Sequence, residues 1–250
     1  MKILVTITFF IMIASNLLGG ILPINGVSTS RVSELYPNLF TPSGVTFSIW
    51  GVIYLLLGLY TIYQLRNTNS SNKNFLDEVG ICFSISSVAN AAWIISWHYN
   101  LISVSMILML VILACLILIA QILNKKNLSK KERLFIKLPF GVYFGWITVA
   151  AIANAIVLIV SIGFENVAMG VWFTVAVLFA GAVIGIGVMF KYSNIAYGVV
   201  LIWAYSGILL RHVSASGFQG RYTEVIVATI MCIGLFVFDE IYIFNKIKTL

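Results

Sequence analysis

Apolar runs of about 20 residues recur along the whole chain, and no other feature restricts the fold as strongly. A helix of that length crosses the hydrocarbon core of a bilayer and satisfies its own backbone polar groups in lipid. The runs are uniformly apolar and do not alternate with polar residues, which favours helices over barrel strands. Eight spans are predicted, at residues 3–22, 45–65, 79–98, 102–123, 136–160, 168–190, 194–211 and 222–244. The predicted fold class is therefore all-α, a polytopic transmembrane helix bundle of about eight spans.

The distribution of basic residues predicts the orientation. Only 9% of residues are charged, against about 25% in soluble domains. If the N-terminus is cytoplasmic, twelve of the 15 Lys and Arg residues lie inside: Lys2, Arg66, Lys73, Lys125, Lys126, Lys130, Lys131, Arg133, Lys137, Lys191, Lys246 and Lys248. Only Arg31, Arg211 and Arg221 lie outside, which is a strong positive-inside bias. We expect an integral protein of the bacterial cell (inner) membrane with both termini cytoplasmic.

The net charge of +7 requires no nucleic-acid partner. Basic residues at the inner ends of the spans face the anionic headgroups of membrane lipid, which is the expected partner there. The basic stretch at residues 124–133 is interpreted as a cytoplasmic loop, with a binding tail as the alternative.

The loop at residues 24–44 is about twenty residues long and lies on the predicted outer side. Loops of that length in compact proteins are usually functional or disordered. Tyr36, Leu39 and Phe40 indicate that it packs back onto the protein, where it could act as a lid.

Three predicted helices each present a tryptophan on a narrow stripe, because residues spaced i, i+3, i+4 and i+7 share one helix face. The stripes are Phe47, Trp50, Tyr54 and Gly58 in the second span, Asn90, Trp93 and Trp97 in the third, and Trp146, Ala150 and Asn154 in the fifth. Trp50 and Trp93 have two alternative interpretations: they anchor the helix at the membrane interface or pack in the core, or they line a pocket. Trp97 and Trp172 are predicted close enough to the outer boundary to be anchors only.

Trp146 lies near mid-bilayer by helix length, where its N–H requires a partner. Asn90 and Asn154 raise the same requirement, because a buried amide needs hydrogen bonds that lipid does not offer. Interhelical hydrogen bonding and pocket lining are the two interpretations of these asparagines.

At these residues the sequence resembles the TspO/MBR family, the tryptophan-rich sensory proteins related to the mitochondrial translocator protein. The family's W-x3-Y-x3-G motif after a proline matches Trp50, Tyr54 and Gly58 after Pro42. Its N-x2-W motif matches Asn90 and Trp93, and its W-x3-A-x3-N motif matches Trp146, Ala150 and Asn154. Trp97 and His98 replace the paired phenylalanines that usually follow in the third helix. The resemblance covers about residues 1–160, which predicts a five-helix membrane domain at 1–160 and three additional transmembrane helices at 161–250.

The resemblance implies a five-helix core that encloses a pocket beneath the long loop. It also implies binding of porphyrins, other tetrapyrroles or sterol-like apolar molecules, with Trp50, Tyr54, Asn90, Trp93, Trp146, Ala150 and Asn154 as the ligand-binding residues. A tetrapyrrole carries propionates, and Arg31 could pair with such carboxylates or serve only as an anchor. Small residues in the third span, Gly80, Ser84, Ser87 and Ala91, fit either packing within one chain or a homodimer through the third helix, as in relatives.

Catalytic motifs are missing from the sequence. It contains no HExxH, CxxC, phosphate-binding glycine loop or G-x-S-x-G elbow. We therefore expect no catalytic residue, no metal site and no cofactor, with a tetrapyrrole only as a ligand. The leading hypothesis is a membrane receptor or sensor for a porphyrin-class or other planar apolar ligand. The alternatives are a small-molecule transporter that uses all eight helices and a membrane enzyme that acts on tetrapyrroles.

Overall fold

The computed structural model describes residues 1–21, 32, 35–67 and 73–248. Within these ranges the chain forms long helices and no strand. The long helices are α1 (Lys2–Ile21), α2 (Ile49–Arg66), α3 (Lys73–His98), α4 (Ile102–Asn124), α5 (Leu138–Ser161), α6 (Val171–Tyr192), α7 (Ile195–Val213) and α8 (Thr223–Lys248). All eight are long and apolar enough to cross a membrane. The predicted polytopic bundle of eight spans is confirmed.

Short elements connect some of these helices. A 3-10 helix at Gly44–Ser48 leads directly into α2. A single turn at Lys130–Glu132, capped reciprocally by Ser129 and Glu132, continues as a five-residue π-helix at Arg133–Lys137 into α5. A one-turn helix at Glu165–Ala168 precedes α6.

The outer surface of the bundle is apolar, as expected for helices that face lipid. Large aliphatic and aromatic side chains such as Ile107, Val183 and Phe238 are more than 60% exposed. In water such a surface would be an aggregation liability. The chain is therefore an integral membrane protein.

Helix α5 lies at the centre of the bundle. It packs against α2, α4 and α7, and it is buried without interruption from Pro139 to Val149. Its apolar residues lie all round the helix, which is the pattern of a core helix. Gly141 and Gly145 allow α7 to approach, because a Cβ at Gly145 would lie 2.7 Å from the Tyr197 carbonyl oxygen.

The last three helices pack as a group and join the first five mainly through α7, with smaller contacts of α6 to α4 and α5. Helix α8 lies against α6 and α7, while α3 lies between α1 and α4. The Tyr197 hydroxyl of α7 donates to Thr148 Oγ1 of α5 at 3.1 Å. The division into residues 1–160 and 161–250 remains a prediction, because such contacts occur within one domain as well as between two.

Candidate functional site

The segment that precedes α2 folds back onto the helices. We call residues 36–48 the roof segment. The Asn38 side-chain oxygen accepts hydrogen bonds from the Phe40 N–H at 3.0 Å, the Thr41 N–H at 2.8 Å and the Thr41 hydroxyl at 3.0 Å. Asparagine favours such tight turns because its side chain bonds to the backbone a few residues on. The turn drives Leu39 and Phe40 into the core, where both are buried.

Helix α7 holds the roof segment through three hydrogen bonds to its backbone. His212 Nε2 bonds to the Leu39 carbonyl oxygen at 2.9 Å, which requires the proton on Nε2. Trp203 Nε1 donates to the Thr46 carbonyl oxygen at 3.0 Å. The Ser43 N–H donates to the Gly207 carbonyl oxygen at 3.0 Å.

Gly207 is required where the roof segment meets α7. A Cβ added at this position would overlap the Thr46 hydroxyl. Any larger residue would therefore push the 3-10 helix at Gly44–Ser48 away from α7.

A cavity lies beneath the roof segment, between α2, α3 and α5. It is lined by Thr41, Pro42, Phe47, Trp50, Trp93, Trp97, Trp146, Val149, Ala150, Ala153, Asn154 and Val157. Its empty volume is about 520 Å³ when the part that opens to the surroundings is included. Water-sized molecules could be centred in only about 40 Å³ of that volume. The cavity is thus narrow, with its walls close together.

Four indole rings line the cavity. Trp50 lies 6.1 Å from Trp93 and 6.1 Å from Trp146, centroid to centroid. Trp93 stacks on Trp97 at 5.7 Å. Phe47 of the roof segment meets Trp146 edge-on at 5.7 Å. These separations and tilts are those of favourable aromatic pairs, so the rings pack in direct contact along the wall.

Few polar groups reach this wall, and most of them bond to one another. Trp93 Nε1 donates to Asn154 Oδ1 at 3.0 Å, and Asn154 Nδ2 donates to Ser105 Oγ at 3.1 Å. Trp146 differs, because its buried Nε1 has no hydrogen-bond partner among the described residues. A buried donor without a partner costs about 1–3 kcal/mol. A ligand with an acceptor atom at that point would recover this free energy.

Comparison with known families gives the identity. The sequence model of a family described as TSPO-like protein matches residues 2–242. The chain belongs to the TSPO-like family. The resemblance predicted from the three motifs is thereby confirmed. The match continues through most of α8 and so includes the helices beyond residue 160. No curated protein and no solved structure matches the chain significantly.

Membership of the TSPO-like family indicates a membrane protein of the sensor or receptor type. Such proteins generally bind or transport molecules and are not enzymes. Within the described residues, no group of three or more His, Cys, Asp or Glu side chains could hold a metal ion.

Five of the eight ligand-binding residues predicted from sequence meet in the cavity wall of this TSPO-like protein. They are Trp50, Trp93, Trp146, Ala150 and Asn154. Tyr54 stacks on Trp50 at 5.5 Å but does not line the cavity. Arg31 lies outside the described residues, and its pairing with a ligand carboxylate stays a prediction.

Asn90 lies in a polar cluster between helices and does not line the cavity. Its Oδ1 accepts a hydrogen bond from Asn16 Nδ2 of α1 at 2.7 Å. Its Nδ2 donates to the Tyr143 hydroxyl of α5 at 3.2 Å. Of the two interpretations of this asparagine, the geometry matches interhelical hydrogen bonding.

Trp97 is a cavity residue that the sequence argument assigned to the membrane boundary. It is only 5% exposed and stacks behind Trp93. Its position four residues after Trp93 places both tryptophans on the same face of α3, which was the available sequence evidence for a cavity role. Trp97 lines the same cavity as Thr41 and Pro42 of the roof segment, and no local pattern in α3 could show that.

The stripe of small residues in α3 faces the interior of the same chain. A Cβ at Gly80 would lie 2.9 Å from Met1 Cγ and 3.1 Å from Val5 Cγ2, both on the N-terminal segment that includes α1. A homodimer through this helix remains a prediction. It would use a different face, where Ile81, Ile85 and Val88 are exposed.

Proposed function

We propose that this TSPO-like protein is a membrane receptor or sensor that binds a planar, mostly apolar ligand of the porphyrin class in the cavity beneath the roof segment. One observation carries the proposal: four indole rings line a narrow cavity in which the Trp146 N–H is buried with no partner in the described part of the chain.

The chemistry of the cavity wall suits a flat aromatic ligand. Binding sites for small molecules are mostly apolar, with a few placed polar groups that fix orientation. Here stacked and tilted rings offer flat surfaces, while Asn154 and the Trp146 N–H supply polar contacts. A porphyrin presents large aromatic faces to such walls, and a polar atom at its edge could accept from Trp146.

The size of the cavity means that such a ligand enters only when the roof segment moves. The space in which the centre of a water molecule can lie is about 40 Å³. One water needs roughly 10–15 Å³ of such space, so the closed cavity holds only a few waters. Thr41 and Pro42 of the roof segment border the cavity, whereas the tryptophans belong to packed helices. The roof segment therefore acts as the lid, as binding loops over enclosed sites do.

The test is to fill the cavity without changing its charge. Ala150→Phe adds a ring where the ligand would lie, and protoporphyrin IX binding in detergent, followed by tryptophan quenching, should weaken by about tenfold or more because the space is occupied. Ala176→Phe is the matched control, since Ala176 is exposed on α6. Equal affinities of the two variants would place the ligand elsewhere.

Transport across all eight helices is the second candidate, and α8 favours it. Asp239 is 6% exposed, and its Oδ2 has no hydrogen-bond partner within the described ranges; the Glu240 carboxylate packs against Gly198. Ionisable residues buried within a span often mark ion or substrate pathways. Liposomes loaded with protoporphyrin on one side decide between receptor and transporter, because a receptor binds the ligand without net flux across the membrane.

The enzyme alternative has its own test. Chemical conversion of protoporphyrin faster than the light-driven background would support a tetrapyrrole enzyme.

A further inference from the structure

A second cavity lies at the opposite end of the bundle, which the positive-inside pattern predicts to be cytoplasmic. It forms where α4 and α6 end and where α5 and α7 begin. Its lining residues are Ala120, Leu123, Asn124, Lys126, Leu128, Arg133, Lys137, Tyr192 and Asn194. Water-sized molecules could be centred in about 90 Å³ of it, room for roughly six waters. A tetrahedral phosphate group fits such a space.

The charges that line this second cavity are all positive. Lys126, Arg133 and Lys137 contribute cationic groups, and no Asp or Glu is among the described lining residues. The nearest carboxylate in sequence, Glu132, accepts from the Ser129 N–H at 2.8 Å in the capping box. A cluster of three cations, with no carboxylate among the described lining residues, favours an anion in this cavity.

Two of the three cations are held in place by hydrogen bonds to backbone carbonyls. Arg133 Nε donates to the Leu128 carbonyl oxygen at 3.2 Å. Lys137 Nζ donates to the Tyr192 carbonyl oxygen at 3.3 Å and to the Ser193 carbonyl oxygen at 3.1 Å. Such anchoring reduces the side-chain entropy lost on binding an anion.

The local backbone also favours a site here. Arg133 and Lys137 are the first and last residues of the π-helix, a rare element that occurs frequently at functional sites. The Lys126 ammonium lies 4.2 Å from the centre of the Phe75 ring of α3. Three separate parts of the fold therefore converge on one small volume.

We propose that this basic cavity binds a phosphate group, and that the phosphate belongs to the headgroup of an anionic lipid in the adjacent leaflet. Lys and Arg match phosphate oxygens through charge-assisted hydrogen bonds. The source follows from position, because the cavity lies at the ends of spans, where headgroups lie. Ala120, Leu123 and Leu128 add an apolar wall for the start of an acyl chain. The proposal is independent of the tryptophan-lined cavity and of any ligand there.

The experiment measures retention of dioleoylphosphatidylglycerol by the full-length protein in neutral detergent, with dioleoylphosphatidylcholine as the uncharged comparison. The variant Lys126→Gln with Arg133→Gln removes two lining charges. The variant Lys130→Gln with Lys131→Gln removes two exposed charges from the same loop and none from the lining. We expect roughly tenfold or greater loss of phosphatidylglycerol affinity in the first pair only, since each basic contact near a surface contributes on the order of fivefold.

Equal loss in both pairs would show a diffuse charge effect and would overturn the site. No loss in the first pair would also overturn it. Arg133→Gln alone, which leaves the Lys126 contact with Phe75, repeats the comparison with less risk to folding. A second arm adds inorganic phosphate at millimolar concentration and follows thermal unfolding. Stabilisation by phosphate that disappears in the lining variant, together with equal phosphatidylglycerol retention by the lining variant and the unchanged protein, would keep the phosphate site but overturn lipid as its source.

Discussion

The substitution Gly207→Ala tests whether α7 fixes the roof segment. A Cβ at this position would overlap the Thr46 hydroxyl and would lie 2.6 Å from Thr46 Cγ2 and 2.8 Å from Thr46 Cβ. Atoms that close must move apart. Because the Gly207 carbonyl also accepts from the Ser43 N–H at 3.0 Å, separation of the two elements weakens that hydrogen bond as well.

The expected cost follows from two opposing terms. Overpacking a close contact costs about 1–3 kcal/mol. Replacing a helical glycine with alanine gains about 0.5–1 kcal/mol. Gly234→Ala in α8 isolates the second term, since a Cβ there meets nothing within 4 Å. The two variants should therefore differ by the overpacking cost alone, and a difference of about 2 kcal/mol lowers Tm by about 4–8 °C.

The assay compares thermal unfolding of both variants in one detergent, followed by near-ultraviolet circular dichroism. Hydrogen exchange of residues 36–48 provides the local measure, and it should be faster in Gly207→Ala only. Adding Thr46→Ala removes the overlapping hydroxyl and methyl groups, so the double variant should recover part of the loss. Identical Tm values and exchange rates for Gly207→Ala and Gly234→Ala would refute the account of this contact.

Four further outcomes are expected. Trp146→Phe keeps the ring and removes the unpartnered N–H, so protoporphyrin affinity should fall by about 0.5–1.5 kcal/mol, whereas Trp172→Phe on the exposed face of α6 should bind as the unchanged protein does. Asn90→Leu removes the hydrogen bonds that join it to Asn16 and Tyr143, so Tm should fall while porphyrin affinity persists; a large loss of affinity would instead give Asn90 a binding role. Trp203→Phe removes one of the bonds to the roof segment, and stopped-flow quenching should show faster porphyrin association. Finally, Lys130→Cys should react with a membrane-impermeant maleimide only from the cytoplasmic side, and labelling only from outside would reverse the predicted orientation.

The sequence was sufficient to predict the helices, because each span is an uninterrupted apolar run whose length matches a bilayer. The predicted ends of the spans were less accurate where a helix begins with charged residues. Helix α3 starts at Lys73, six residues before the predicted span at 79, since the charged first turns extend beyond the apolar run. The π-helix at Arg133–Lys137 has no sequence signal that we recognise.

Local periodicity placed Trp50, Trp93 and Trp146 on the correct helix faces, but it could not show what covers them. Helices α2, α3 and α5 converge through tertiary packing, and the roof segment closes over them by contacts distant in sequence. The bond between His212 and Leu39 joins residues 173 positions apart. For the same reason, Asn90 could not be assigned to its cluster, because its partner Asn16 lies on another helix.

If the roof segment is the lid of a ligand site, as we propose, its contacts with α7 give the C-terminal helices a thermodynamic role in ligand entry. If opening breaks all three backbone-directed hydrogen bonds, at about 0.5–1.5 kcal/mol each, the open form is disfavoured by about 1.5–4.5 kcal/mol, or roughly 10- to 2000-fold. The apparent affinity for any ligand that needs the open form falls by that factor. Ligand binding energy must first overcome this cost, unless the roof segment closes again over the ligand and restores the bonds. A bundle of α1–α5 alone would lack all three bonds, so α7 sets how often the cavity opens while contributing no residue to its wall.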